Sequence, residues 1–270
     1  MANLPLDYIW AALTIPRSPF FDLMYVAVGV FPCIAWLWFY LRQDKHPEPK
    51  SEILAVFFLG ALITIPAVYI ELFLTNDCRG LADSCSPGIF YQLGLPPLAT
   101  LVVSNIIGIA FVEEFFKYAV VWLKEQSING NWQLDEPLDF VMYMVISAMG
   151  FAAVENLLFL FLIPQIETAF IASLVRSVTA ILVHALCSGI LGYYMAMTFC
   201  HRDKKIRYLV GGIALVSLLH GLYDLSIIGS EENIEFLPAM LVLIALMGTL
   251  LYKKIEKLKG MKSVCDMKLK

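Results

Sequence analysis

Charge is what this sequence has least of. Only 16% of its 270 residues are Asp, Glu, Lys or Arg, against 60% that are apolar. A soluble domain carries about 25% charged and about 45–50% apolar residues, so a soluble fold could not bury this excess. Long polar connections are missing too. The longest stretches between apolar runs are residues 76–96 and 124–137, which leaves no room for a soluble catalytic domain. No repeat or low-complexity segment stands out. The N-terminal residues show no basic stretch ahead of an apolar run, so a cleaved signal peptide is not expected. Basic residues form no face outside a short C-terminal segment, which removes nucleic acid as a partner. There is no His-Glu-x-x-His, and no two histidines lie one helical turn apart.

What is present is a series of apolar runs, each about the 20 residues needed to cross a bilayer. They cover 22–41, 53–75, 97–123, 138–162, 168–200, 206–228 and 236–254. The expected fold class is therefore all-α, a polytopic transmembrane bundle of about seven spans. The fifth run is long enough to tilt or protrude. Lys and Arg fix the orientation: with the C-terminus in the cytoplasm, fifteen fall on the cytoplasmic side and only Arg17 and Arg79 outside. That asymmetry predicts the N-terminus out and the C-terminus in. One integral membrane domain is expected over 1–260, with its motif core at about 40–225, followed by a basic cytoplasmic tail over 261–270. Cys78 and Cys85, in an outside loop, are a disulfide candidate. Cys33, Cys187 and Cys200 read as small apolar packers.

Function then rests on the ionisable residues inside the spans. Glu113, Glu114 and Lys117 share the third run, Glu155 and Asn156 the fourth, Arg176 and His184 the fifth, His220 and Asp224 the sixth. Histidines and Asn156 aside, six chargeable groups cost about 2.5–3.5 kcal/mol each at a helix centre, roughly 15–20 kcal/mol together. Isolated decoration on that scale is untenable, so these groups must face one another or a wet cavity. Spacing agrees: Glu113 with Lys117, and His220 with Asp224, are i,i+4 and share helix faces. Depth agrees as well, since Glu113, Glu155, His184 and His220 fall at a similar level.

Two chemistries fit. A Glu can act as general base on water while His and Asp polarise a carbonyl. Alternatively Glu113, Glu155, His184 and His220 bind a metal such as zinc, and another Glu activates water. Bland readings stand beside these. Glu114 with Lys117 is equally an ion pair that holds helices, Asn156 is helix–helix glue, and Arg176 with Glu155 orients spans. Glu71 and Asp139 read as interfacial, and His46 and His201 as solvated loop residues.

The motifs Glu-Glu-x-x-Lys at 113–117, Phe-x-x-x-Glu-Asn at 151–156, Arg-x₇-His at 176–184 and His-Gly-x-Tyr-Asp at 220–224 resemble the PrsW family of intramembrane proteases. So does the segment Asp-Lys-His-Pro-Glu-Pro at 44–49. The resemblance covers about residues 40–225 and extends to the superfamily of CAAX prenyl endopeptidases and bacteriocin-processing enzymes. It implies an endopeptidase in a prokaryotic cell membrane. Glu113 would be the base that activates water and Glu114 its companion. His220 and Asp224 would stabilise the oxyanion, and Lys117, Glu155, Asn156 and Arg176 would support them. The prenyl endopeptidases carry His where this chain has Glu155, so His184 becomes the candidate that polarises the water. The implied substrate is membrane-anchored, with a single-span anti-sigma factor as the family's example. Glutamate and metal mechanisms both stay open, as do two other functions: a proton-coupled transporter and a non-catalytic membrane scaffold. Against the transporter stand the missing inverted repeat and prolines concentrated in loops and at span ends.

Overall fold

The computed structural model describes residues 19–43, 48–76, 86–126 and 136–261. His46, Cys78 and Cys85 lie outside the described residues, as does the basic tail apart from Met261. Among the described residues there is no strand, and seven helices are long and apolar enough to cross a membrane. They are α1 (Pro19–Leu41), α2 (Lys50–Thr75), α3 (Pro97–Glu125), α4 (Pro137–Phe161), α5 (Ile166–Cys200), α6 (Lys205–Glu232) and α7 (Phe236–Lys259). Each matches one expected run, with ends extended by a few residues.

Helix α4 is the axis of the bundle. Every residue from Pro137 to Ala153 is buried, and α4 packs on α1, α2 and α5. Its sequence is apolar all round, which is the pattern of a helix enclosed by other helices. Small residues let the neighbours approach. A methyl added at Gly150 would collide with the Phe57 carbonyl of α2, and one at Gly60 would collide with the Ser147 carbonyl of α4. Such contacts draw helices together where lipid supplies no hydrophobic drive. Helix α7, by contrast, turns Leu241 and Val242 outward, as a lipid-facing helix does.

Three local features depart from the expected pattern. The fifth run is a broken helix, Ile166–Val178 and Ala180–Cys200, interrupted at Thr179; the break, rather than a tilt, absorbs its extra length. Helix α3 contains a π-helical segment, Ser104–Phe111, directly ahead of the two glutamates. Widened turns of this kind gather at functional sites. Prolines are not confined to loops and span ends: Pro32 lies inside α1 and Pro66 inside α2. Proline has no N–H to give the carbonyl four residues back. For Pro32 that carbonyl is Val28, and Ser173 of α5 donates to it at 2.7 Å. Neighbouring side chains commonly repair membrane helices in this way.

Asp139, at the start of α4, is 1% exposed and closes a reciprocal cap with Glu136. One further expectation changes. Cys33 and Cys187 are buried free thiols, but Cys200 is disulfide-bonded and so is more than a packer.

Candidate active site

The ionisable residues converge. From α3, Glu113, Glu114 and Lys117 lie on the buried face. The break at Thr179 starts a fresh helix whose second turn carries His184 into the same space. Helix α6 can approach α3 closely because Gly221 lies against the backbone of Asn105 and Ile106, which brings in His220. The two imidazoles end 5.0 Å apart, edge to face.

Lys117 is the hub. Its side chain is fully buried, and Nζ donates to Glu113 Oε2 at 3.1 Å, Glu114 Oε1 at 2.9 Å and His184 Nδ1 at 2.7 Å. The Phe151 ring lies 4.5 Å from the same nitrogen. A buried ammonium is tolerable only with such partners. Since His184 Nδ1 accepts from lysine, its proton sits on Nε2, which donates to Glu155 Oε2 at 2.5 Å. Glu155 in turn accepts from Arg176 Nη2 at 2.9 Å, and Arg176 Nε donates to Asn156 Oδ1 at 2.7 Å. Asn156 donates to the Gly29 carbonyl of α1 at 2.9 Å. One polar chain therefore runs from Lys117 through His184 and Glu155 to α1.

The two adjacent glutamates differ sharply. Glu114 is 0% exposed and accepts from Lys117, from His220 Nδ1 at 3.0 Å and from Ser188 Oγ at 3.1 Å. Its oxygens are committed. Among the described residues Glu113 accepts a hydrogen bond only from Lys117, and it lines a cavity of about 350 Å³. Phe151, Glu155, Arg176, His184, His220 and Asp224 line it as well. With Nδ1 turned to Glu114, His220 presents Nε2 to Glu113 Oε2 and Asp224 Oδ1, each at 3.9 Å. Asp224 Oδ2 is buried without a partner among the described residues. Of the residues expected from sequence, Glu113, His184, His220 and Asp224 thus border the cavity, while Glu114 and Lys117 stand behind it and Asn156 lies further out.

Sequence reasoning missed two wall residues. Glu71 of α2, expected at the interface, lines this cavity, and so does Asn105 of the π segment. Both carry an unpartnered buried oxygen. Glu71 had a legible signal, as a lone acid four residues inside an apolar run; Asn105 had none.

Whether the residues suit a metal ion can be tested on their geometry. One donor atom each from Glu113, Glu114, His184 and His220 falls within 4.8 Å of the others, and all four residues are buried. Imidazole and carboxylate are ordinary zinc donors. His184 also has the outer carboxylate, Glu155, that typically fixes a metal-bound histidine. The donors fit, with one qualification of position: Lys117 Nζ already lies among them. Glu155, expected as a ligand, is instead that outer partner, and Glu114 joins the group in its place, because the imidazole stands between Glu155 and the cluster.

Comparison with known proteins agrees with this picture. The chain is 29% identical to Protease PrsW of Geobacillus kaustophilus over 87% of its length and 92% of the relative's. It is 30% identical to Protease PrsW of Oceanobacillus iheyensis over 82% and 91%. For Protease PrsW of Bacillus subtilis the figures are 27%, 87% and 97%. No solved structure matches the chain. The family model described as PrsW family intramembrane metalloprotease matches residues 48–250. With its seven apolar helices, the chain belongs to the PrsW family of intramembrane metalloproteases and is an integral bacterial membrane peptide hydrolase.

Proposed function

We propose that the chain is an endopeptidase that cuts membrane-anchored proteins at this cavity, with Glu113 as the base that activates water. One observation carries the assignment: of the two adjacent glutamates, Glu113 alone borders the cavity, and it keeps an oxygen free of protein donors. A water beside Glu113 loses its proton to the carboxylate as it attacks the peptide carbonyl. Lys117 holds Glu113 in place, and Glu114 fixes Lys117 and His220. His184, held by Glu155 at Nε2 and by Lys117 at Nδ1, fixes Lys117 beside Glu113. His220, with one proton on Nδ1 toward Glu114, acts on the oxyanion as an imidazolium that donates from Nε2, a charge that Glu113 and Asp224 at 3.9 Å favour. Donors preset around a developing charge are worth more in a dry site than in water. Glu113 then returns the proton to the leaving amine.

A divalent ion held by Glu113, Glu114, His184 and His220 would supply Lewis-acid charge to the same water and carbonyl. Its presence is read from the metal content of purified wild type against His184→Gln.

Basic residues favour a cut on the outer side. Lys50, Lys124, Arg202 and Lys205 mark one end of the bundle, whereas Glu71, Glu155 and Asp224 lie near the opposite ends of α2, α4 and α6. The positive-inside rule makes that opposite face external. Single-span substrates such as an anti-sigma factor suit a cut at that level. The test compares membrane-protein N-termini in cells that make wild type or Glu113→Gln. New termini beside membrane segments, seen only with wild type, are expected. An identical set from both, with both proteins folded, overturns the proposal in favour of a scaffold.

A further inference from the structure

Part of the cavity wall outside the catalytic cluster holds polar atoms that no described residue answers. Glu71 Oε1 and Asn105 Oδ1 are buried and have no hydrogen-bond partner among the described residues. Both residues line the cavity, and Asn105 is 1% exposed. The two come from helices that touch there. Thr75, one turn beyond Glu71, packs where a side chain at Gly108 would otherwise go, and Gly108 follows Asn105 by three residues. The amide nitrogen of Asn105 donates to the Leu101 carbonyl at 2.8 Å, so its oxygen is the end left free.

Charge sharpens the point. Five carboxylates belong to the cavity and its cluster: Glu71, Glu113, Glu114, Glu155 and Asp224. Two fixed cations answer them. Lys117 is spent on Glu113, Glu114 and His184, and Arg176 on Glu155 and Asn156. Asp224 has His220 at 3.9 Å. Glu71 has no ion pair among the described residues, and it lies outside the four residues able to hold a metal. A buried carboxylate oxygen without a partner among other acids is costly, and a ligand that brings a cation removes the cost.

Resting on the protease reading above, we propose that Glu71 and Asn105 form a subsite for a basic side chain, and that the preferred substrates carry Lys or Arg a few residues from the cut bond. The carboxylate supplies charge and the amide oxygen a second acceptor. That pairing suits an ammonium or guanidinium and gives a neutral backbone N–H less.

The test uses full-length protein in liposomes and a series of single-span reporters. Within the outer part of the span and the segment beyond it, one position at a time is Lys, Met or Glu. Wild type should cut the Lys reporter about tenfold or more faster than the Met reporter at one or two positions, the scale of a charge-assisted hydrogen bond. In Glu71→Gln the Lys-to-Met ratio should fall toward one, and in Glu71→Lys the Glu reporter should overtake the Lys reporter. Ratios taken within one variant do not depend on how much of it folds. Equal cutting of Lys and Met at every position by wild type overturns the subsite and leaves the protease reading standing. A Lys preference that survives in Glu71→Gln also overturns it. Failure of wild type to cut any reporter, under conditions where Glu113→Gln is equally silent, removes both.

Discussion

The floor on which the cavity rests, a cluster set mostly behind its lining, and the cavity wall both carry buried polar groups and are finished to opposite degrees. On the floor, Glu114, Lys117, Ser188 and His220 Nδ1 satisfy one another completely. On the wall, Glu71, Asn105 and Asp224 each keep an oxygen with no partner. A satisfied buried network fixes geometry, and an unsatisfied buried acceptor is a place where a ligand adds what the fold omits. The boundary runs between neighbours in sequence, since Glu113 and Glu114 fall on either side of it. Substitutions that move a residue across this boundary are the way to break the comparison.

The largest effect should come from Glu113→Gln. Loss of a general base lowers turnover by about 10²–10⁴-fold, and the amide oxygen can still accept from Lys117, so thermal unfolding in detergent should shift little. Glu114→Gln should show the reverse emphasis, a clear drop in melting temperature beside the loss of activity. If the two variants melt alike, the division between floor and wall fails.

Next is Lys117→Met. Removing the hub leaves Glu113 and Glu114 buried without their cation, and breaking a buried pair costs about 3–5 kcal/mol. Adding Glu114→Gln to Lys117→Met should restore part of the loss, because one uncompensated charge disappears with it. A strictly additive double variant would mean that the two side chains do not act together. Ser188→Ala follows at about 1.5–3 kcal/mol, the worth of one hydrogen bond to a charged group, read by the same unfolding measurement.

Much of this was legible in the sequence, for identifiable reasons. Seven spans follow from composition and length, and the convergence of Glu113, Glu155, His184 and His220 follows from the cost of isolated charge in lipid. A division of labour between Glu113 and Glu114 came only from the family resemblance; the residues by themselves do not give it, because it depends on which α3 face meets α5 and which meets open space. Glu155 falls outside the group of close donors for the same reason: the imidazole of His184 stands before it. The break at Thr179 has no Gly or Pro to announce it; Thr179 is the residue that interrupts the run. Pro32 was passed over because an apolar run hides a missing N–H, and only Ser173 from another helix shows how it is tolerated.

The smallest effect on the fold, and the most telling, is expected at Asn105. Replacing it by Leu removes a buried oxygen that no protein donor meets, together with one bond to a carbonyl in its own helix. For stability these changes nearly cancel, and a shift within about 1 kcal/mol, toward either side, is expected for an exchange of similar size. Cutting of reporters that carry Lys near the bond should nevertheless fall. A residue kept for the fold behaves otherwise, losing stability and activity together. Sites that hold strained or unsatisfied groups for the sake of a substrate commonly gain stability and lose function when those groups are removed. Asn105→Leu therefore asks whether the wall is unfinished by accident or for a ligand. Unchanged melting with weakened cutting answers for the ligand, and a large drop in melting answers that Asn105 belongs with the floor.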